Sequence, residues 1–286
     1  MLSPAQLRWG VDQWVAFLKD KEIPVLPRTQ TLLQVLQEER GENVSANDLT
    51  RLVLGDPFLC LKLLRQAEHR RSRMLGHDTT TVLGSVLQTG LDALIDIVTQ
   101  SPISNDGLQG LNECEFRTVL AANIARGWAN LRADVSTEEV SLAALLSEVG
   151  ELLLWHFAPE LPQKALDELH SGRALRTLQA QQQTVGFSFK QLSLVLAQNW
   201  ELPPLIMMLI KGSDNARANI TRLAAETARH ITAHPENPAI PTDIINIKHV
   251  IPGASHEALL APLPISAEYK ETVLRAVAMD ISSWDI

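Results

Sequence analysis

The sequence predicts an all-α protein made of many helices. Apolar residues recur three and four positions apart, as Leu7 and Val11 do, and this spacing places them on one face of a helix. Ser3, Ser45 and Ser136 are each followed three positions later by Gln, Asp or Glu, which is the pattern of a capping box at a helix start. The sequence shows no alternating apolar run between hairpin turns, so we expect no sheet.

The N-terminal elements follow from this spacing in order. The first is an amphipathic helix over residues 4–20, and the proline-rich turn at residues 23–27 ends it. The predicted helices that come next are 28–40, 45–54, 57–69, 79–89 and 91–99. The run 101–110 is rich in glycine and polar residues and contains Pro102, so it is the predicted break between two halves of the chain.

The second half repeats the helical pattern. Its predicted helices are 112–132, 137–157, 162–171, 173–184, 188–199, 203–211 and 216–233. Pro235, Pro238 and Pro241 end this set, because proline does not continue a helix. The tail after them has further prolines between short apolar stretches, and we expect it to form one or two helices packed on the main body or on a neighbouring subunit.

The composition is typical of a globular chain. Hydrophobic residues make up 45% and charged residues 20%, which is close to ordinary soluble usage. The formal net charge of -8 argues against broad contact with nucleic acid, since nonspecific affinity for phosphates comes from lysine and arginine. Cys60 and Cys114 lie far apart inside apolar helical patterns, so neither a disulfide nor a zinc knuckle is expected.

The hydropathy pattern does not predict a membrane span. The most apolar stretch, residues 142–157, is interrupted by Glu148 and Glu151 and is shorter than the roughly 20 apolar residues of a membrane helix. The first residues lack the basic region of a secretory signal. We therefore expect a cytoplasmic protein in a reducing compartment.

Three stretches carry a family resemblance. Asp56 can cap a helix and Pro57 suits its first turn, while Gly90 fits a left-handed cap between two apolar helices. A Trp-x-Leu-Pro segment precedes the helix at 203–211. The motif residues are Asp56, Pro57, Gly90, Trp200, Leu202 and Pro203. Over residues 23–212 the pattern resembles the HDOD domain family, except that Glu68-His69 stands where the family commonly has Asn-Ser.

The resemblance implies a fold and a domain organisation. The HDOD fold is similar to that of the HD phosphohydrolase superfamily, so an HD-like multi-helix architecture is implied. We expect an N-terminal amphipathic helix at 1–22, an HDOD domain at 23–212 and a C-terminal helical extension at 213–286. Within the domain, a helical N-terminal half at 23–104 precedes an HD-like half at 105–212.

The resemblance also locates the metal-ligand positions of the HD enzymes, which use His and Asp side chains from several helices to hold divalent ions. These positions are occupied by Arg117, Ser147, Glu148, Phe189, Gly212 and Ser213. An arginine repels a cation, and one carboxylate is a weak anchor. We therefore predict no metal, no cofactor and no catalytic activity.

Two alternatives stay open for this pocket. One is a degenerate metal-dependent phosphohydrolase acting on nucleotides or cyclic dinucleotides. The other is a small-anion sensor that uses the vacated pocket around Arg117, Glu148 and Phe189.

Other charged groups lie outside the family motif. The most basic cluster consists of Lys62, Arg65, Arg70, Arg71 and Arg73. It could contact an acidic partner or a nucleotide phosphate, or it could be a solvated loop. The doublet His77-Asp78 falls in a predicted loop, and His230 and His234 are four positions apart near a helix end. Neither pair is predicted to bind a metal.

The tryptophans divide into two groups. Those on apolar helix faces are predicted to be core residues, and they are Trp128, Trp155 and Trp200. Those in terminal segments are predicted to dock onto the body or onto another chain, and they are Trp9, Trp14 and Trp284.

The resemblance implies a signalling context. We expect a non-catalytic regulatory or adaptor module in bacterial signal transduction, acting by protein-protein or small-ligand binding. The expected partner is an unidentified signalling protein in trans. A small anionic ligand and a homodimer are left open, and neither nucleic acid nor a membrane is expected as a partner.

Overall fold

The protein folds as a set of helices. The computed structural model describes residues 2–71, 79–105 and 107–282, apart from the side chains of residues 42, 69–71 and 280–282. Within this part the backbone forms seventeen α-helices and two short 3-10 helices. The β-type pairing found there is one isolated bridge between Val25 and Ile103. The all-α prediction is confirmed.

The helices are numbered in chain order. The first nine are α1 (Val11–Leu18), α2 (Pro27–Arg40), α3 (Ala46–Leu54), α4 (Pro57–Arg71), α5 (Val82–Thr89), α6 (Leu91–Gln100), α7 (Gln109–Ala129), α8 (Thr137–Leu146) and α9 (Val149–Phe157). The others are α10 (Glu160–His170), α11 (Thr177–Val185), α12 (Phe189–Asn199), α13 (Pro204–Lys211), α14 (Ala216–Ala233), α15 (Ile240–Val250), α16 (His256–Leu260) and α17 (Ala267–Ser282). The 3-10 helices are Gln6–Arg8 and Gly41–Asn43.

The predicted start signals act as expected. The Ser45 hydroxyl accepts a hydrogen bond from the Asp48 amide, and the Asp48 carboxylate accepts one from the Ser45 amide. Ser3 and Gln6 exchange the same pair of bonds. These reciprocal bonds satisfy amides that a helix start leaves without intrahelical partners.

Three predicted helices and the predicted tail differ in detail from the observed structure. The predicted helix at 4–20 is a 3-10 turn followed by α1, because Gly10 between them has an extended backbone with ψ of -176°. The predicted helix at 137–157 breaks into α8 and α9, since Glu148 leaves the helical region with ψ of 19°. The predicted helix at 173–184 begins only at Thr177. The tail forms α15, α16 and α17 rather than one or two helices.

The predicted left-handed cap at Gly90 is corrected in part. Gly90 ends α5 and begins α6, and its φ of 88° is positive as expected. Its ψ of 148° lies outside the left-handed helical region. The position therefore still favours glycine, because a side chain is strained at this φ and ψ.

The chain divides into two compact units that are discontinuous in sequence. Unit 1 comprises Met1–Phe116 and Leu146–Met207, and unit 2 comprises Arg117–Leu145 and Met208–Ile286. The three unit boundaries fall inside α7, before the last residue of α8 and inside α13. The domain ranges expected from the sequence stay a prediction.

Unit 1 has a core of aliphatic and aromatic side chains. Its buried members come from most of its helices and include Trp14, Leu49, Phe58, Val86, Leu94, Leu152 and Leu196. Helix α4 packs on α5, α9 packs on α12, and α10 packs on α11. Burial of these faces is the main stabilising contribution to the unit.

Unit 2 is built around the second half of α7. Trp128 is fully buried, and its indole N–H donates to the Leu259 carbonyl at 2.8 Å. Residues of α14, α15 and α17 complete the same apolar cluster. The predicted C-terminal extension thus packs on this chain's own residues 117–145.

One apolar stretch has the length and composition of a membrane span. It covers Thr137–Phe157, and 78% of its apolar window is buried inside the structure. Such burial is what a core helix of a soluble protein shows. The bent pair formed by α5 and α6 passes the same test only if both helices are counted as one span.

Candidate functional site

Asp56 anchors the start of α4 and links it to the segment before α2. One oxygen of its carboxylate accepts the Leu59 amide at 3.0 Å, which is the predicted helix cap. The other oxygen accepts the Leu26 amide at 2.8 Å and the Thr29 hydroxyl at 2.7 Å. The side chain is fully buried. Burial raises the pKa of the Asp56 carboxyl, and these three hydrogen bonds oppose that rise.

A cavity of about 440 Å³ lies on unit 1 beside α4. The turn after α1, the middle of α4 and the end of α12 form its walls. The lining includes the charged or aromatic residues Lys21, Glu22, Lys62, Arg65, Trp200 and Glu201. Two members of the predicted basic cluster, on α4, therefore share one concave surface with a tryptophan of the family motif.

The Lys62 ammonium is hydrogen-bonded to neutral oxygens. Its ammonium donates to the Ile23 carbonyl at 3.2 Å and to the Ser101 hydroxyl. Burial lowers the pKa of Lys62, the field of Glu22 raises it, and the positive charge of Arg65 lowers it again. The two cations are thus close enough to repel each other.

Arg65 is stacked on Trp200. Its guanidinium carbon lies 4.6 Å from the centre of the indole ring, and its terminal N–H donates to the Lys19 carbonyl at 3.2 Å. The Trp200 indole N–H donates to the same carbonyl at 3.1 Å. Burial lowers the pKa of Arg65, which the field of Asp20 opposes. The guanidinium is therefore fixed in place by a ring face and a carbonyl.

Glu201 follows Trp200 with an unusual backbone. Its φ is 53°, and in the described part of the chain it is the one residue other than glycine with a positive φ. The Leu202 amide donates to the Ala197 carbonyl, so Glu201 occupies the left-handed position that closes a helix and that usually holds glycine. This strained residue forms part of the cavity wall.

Three of the predicted metal-ligand positions lie in unit 1. Glu148 is 9% exposed and precedes α9, and Ser147 beside it is partly buried. Phe189 begins α12 and is 4% exposed. The Gly150 amide donates to the Ser193 hydroxyl, which donates to the Phe189 carbonyl. The start of α9 is therefore packed closely on the start of α12.

The other three positions lie in unit 2. Arg117 is a partly buried residue of α7. Gly212 follows α13 with a φ of 92°, and the Ser213 carbonyl accepts a hydrogen bond from the Asn215 amide. The vacated pocket around Arg117, Glu148 and Phe189 combines residues of both units and stays a prediction.

These six residues do not fit a divalent metal. They supply one carboxylate and two hydroxyls, together with a cation, a phenyl ring and a glycine, whereas such sites are built from several carboxylate, imidazole or thiolate donors. Among the described residues, no group of three or more His, Cys, Asp or Glu side chains is arranged to hold an ion.

His230 pairs with an acid and not with His234. Its Nδ1 lies 2.7 Å from the Asp243 carboxylate, and its ring is 34% exposed. The Asp243 hydrogen bond raises the pKa of His230, which burial opposes. The His234 ring accepts the Glu236 amide. The two histidines thus have separate partners within unit 2.

Several predicted residues lie outside the described part. They are the side chains of Arg70 and Arg71, and the residues Arg73, His77, Asp78 and Trp284. The remaining tryptophans follow the prediction. Trp128, Trp155 and Trp200 are 0%, 5% and 8% exposed. Trp14 is buried and meets Trp9 edge-on at 5.1 Å between ring centres, so these terminal rings dock on the body of unit 1.

The two cysteines are free and buried, which confirms that they form no disulfide. Burial raises the pKa of the Cys60 thiol, and the field of Asp56 adds to the rise. A thiol in this environment stays protonated and is a poor nucleophile.

Most of the chain matches one protein family. The HDOD domain matches residues 23–216, a stretch that contains Asp56, Gly90 and the Trp200 segment. The chain belongs to the HDOD family. This HDOD chain is therefore an HD-like helical protein, and the matched range includes both the Asp56 anchor and the Trp200 wall of the cavity.

Solved structures share the fold of this HDOD chain. The MmoQ response regulator from Methylococcus capsulatus str. Bath is 19% identical, with a TM-score of 0.66 over 86% of this chain and 99% of that one. A virulence factor from Campylobacter jejuni subsp. jejuni is 16% identical, with a TM-score of 0.71 over 91% of this chain and 98% of that one. No curated protein matches the sequence.

Sequence reasoning missed part of the cavity in this HDOD chain. The sequence does not predict Lys21, Glu22 or Glu201 as site residues, and it predicts Trp200 as a core residue of the family motif and not as part of a cavity. The turn after α1 and the end of α12 are far apart in sequence, and no spacing rule connects them. The one available signal was that Lys62 and Arg65 are three positions apart and therefore share a helix face.

Proposed function

We propose that this HDOD protein is a non-catalytic regulatory or adaptor module of bacterial signal transduction, acting in the cytoplasm by binding a partner protein or a small ligand. Membership of the HDOD family supports this proposal. So does the likeness in fold to a protein named as a response regulator.

The observation that carries the proposal is a retained helical frame without ligand chemistry. Gly150 packs its backbone on Ser193 and Phe189, so the junction of α9 and α12 is close-packed. Ser147 and the buried ring of Phe189 lie at that junction, where the resemblance to the HD enzymes predicts histidine positions. A phenyl ring cannot donate a lone pair to a metal, so a binding role fits these residues better than metal-assisted hydrolysis does.

The test is a joint measurement of metal content and turnover. We expect the purified protein to contain less than stoichiometric divalent metal and to leave bis(p-nitrophenyl) phosphate uncleaved in the presence of added Mn²⁺. Glu148→Gln is the matched variant, because it removes the carboxylate left at these positions and keeps its shape. Stoichiometric metal, or cleavage that Glu148→Gln abolishes, would contradict the proposal and support a degenerate phosphohydrolase.

A binding role also predicts a partner. Capture from lysate of the native host identifies candidates, and each is then purified and titrated against the HDOD protein. We expect at least one signalling protein to bind with a defined stoichiometry. If every purified candidate fails to bind, the adaptor role is rejected.

A further inference from the structure

The cavity beside α4 contains two cations that lack ionic partners. Lys62 and Arg65 donate to carbonyl and hydroxyl oxygens only. Within the described residues neither has a carboxylate at ion-pair distance, and the fields of Glu22 and Asp20 reach them from farther away. Partly desolvated charges without an ion-pair partner are unfavourable, and such groups in a concave surface are candidates for a binding site.

The cationic groups are organised in advance. Stacking on Trp200 and the bond to the Lys19 carbonyl hold the Arg65 guanidinium, and two bonds hold the Lys62 ammonium. A group that is already fixed loses little conformational entropy when it binds an anion. The positive φ of Glu201 places local backbone strain in the same wall, as is common at binding sites.

The shape and charge of the cavity restrict the ligand. A volume of about 440 Å³ is within the range of small-molecule sites. Glu22, Glu68 and Glu201 also line the cavity, so a second anionic group on the ligand would be repelled. The oxygens of one carboxylate or phosphate can accept hydrogen bonds from the N–H groups of Arg65 and from the remaining N–H of the Lys62 ammonium.

We propose that this cavity binds a small organic molecule through a single oxyanion group, a carboxylate or a phosphate monoester, held between Lys62 and Arg65 against the Trp200 wall. The inference rests on the proposed function, because it names what a binding module of this kind would take up. Lys21 and Glu201 at the edge then contact the rest of the molecule.

The test uses three probes that each carry one phenyl ring, and benzoate and benzamide also match in shape. Benzoate and phenyl phosphate carry the two oxyanions, and benzamide is the uncharged control. Binding is followed in ¹⁵N-labelled full-length protein by the indole N–H resonance of Trp200, which the Trp200→Phe variant assigns. We expect a saturable shift with at least one anion and none with benzamide, and the preferred anion identifies the headgroup.

Variants then locate the site. Arg65→Gln and Lys62→Gln should each weaken the preferred anion at least tenfold, since each removes a charged hydrogen-bond donor. Arg51→Gln, an exposed arginine of α3, should leave the affinity unchanged. Equal affinity in the two cavity variants, or no saturable shift with either anion, overturns the inference. The comparison of benzoate with benzamide needs neither cavity variant and stands even if Arg65→Gln or Lys62→Gln prevents folding.

The two proposals fail in different ways. Release of phenol from phenyl phosphate would contradict the proposed function, while Arg65-dependent binding would still support the cavity. Absence of anion binding would reject the proposed binding site in the cavity and would not affect the metal and turnover results.

Discussion

At the scale of single residues, the two carboxylate oxygens of Asp56 accept hydrogen bonds from different parts of the chain. One oxygen caps α4 through the Leu59 amide, and the other accepts from Leu26 and Thr29. Because the carboxylate is buried, each donor would lose its only acceptor if the side chain were removed. The residue therefore fixes the position of α4 as well as its start.

Replacing Asp56 should lower the free energy of unfolding more when both carboxylate oxygens are lost than when one is kept. We expect Asp56→Ala to lower the free energy of unfolding by about 2–4 kcal/mol, since it removes a cap and leaves buried donors unsatisfied. Asp56→Asn keeps one acceptor and should cost less. Ser188→Ala, which removes only the exposed cap of α12, should cost about 1 kcal/mol. Urea unfolding measures all three, and an equal cost for Asp56→Ala and Ser188→Ala would contradict this account.

The ion pair of His230 predicts a pH dependence. The Asp243 hydrogen bond raises the pKa of His230 above the ordinary value of about 6.5 for histidine. Burial opposes the rise, Glu226 adds to it and Arg229 opposes it. The protonated ring therefore stabilises the fold. This contribution is complete below about pH 6.5 and is lost as the pH rises through the pKa of the folded protein.

The measurement is urea unfolding at a series of pH values from 5.5 to about 9. We expect the free energy of unfolding to fall across this window and the Asp243→Asn variant to lose that fall. His249→Gln, an exposed histidine of α15, is the control and should keep it. A fall of equal size in Asp243→Asn and in the unaltered protein would show that the pair does not cause it.

At the scale of helices, the close approach of α9 to α12 affects stability more than the helix propensity of Gly150 does. A methyl group at Gly150 would lie 2.6 Å from the Phe189 carbonyl oxygen and 2.7 Å from the Ser193 amide. Both are backbone atoms of α12 and cannot move like the end of a flexible side chain. Glycine therefore sets how closely α9 can pack on α12.

Gly150→Ala should destabilise the protein although alanine is the better helix former. We expect a loss of about 1–3 kcal/mol from overpacking, against the gain of about 1 kcal/mol that propensity alone predicts. Gly253→Ala, where no atom lies within 4 Å of the added methyl group, should be nearly neutral. Thermal unfolding distinguishes the two, and a stabilised Gly150→Ala variant would show that α12 can move away.

Helix starts were predictable because their chemistry is local. Ser45 and Asp56 bond to amides three positions away, so spacing alone identifies them. The break at Ser147-Glu148 was not predicted, since the apolar pattern from Leu142 to Leu154 continues on both sides of it and contains no proline. Gly150 follows the break, and the reason for a glycine there is the packing of α9 on α12, which the local pattern does not show.

At the scale of the whole molecule, the family match and the compact units do not coincide. The HDOD match ends at residue 216, whereas unit 2 includes Met208–Ile286. Its apolar cluster contains Trp128 from α7 and residues of α14, α15 and α17. The helices after the match are therefore part of a core that begins inside it.

A chain shortened to residues 1–212 should lose the fold of residues 117–145. Removal of α14 to α17 exposes the apolar face around Trp128, and exposed faces of this kind bind dyes and aggregate. We expect stronger binding of ANS and loss of cooperative thermal unfolding for that part. A chain ending at residue 282 keeps α17 and should behave like the full protein. Native-like unfolding of the 1–212 chain would show that the later helices are dispensable.

By itself, the sequence determined that the protein is all-α, where most helices begin and which family it belongs to. These properties depend on spacing within a few residues or on a pattern compared position by position. The tertiary structure alone decided that Lys62, Arg65 and Trp200 share a cavity, that His230 pairs with Asp243, and that α14 to α17 complete the core around Trp128. Such contacts join residues far apart in the chain, and they are selected by the packing of whole helix faces, which no local pattern encodes.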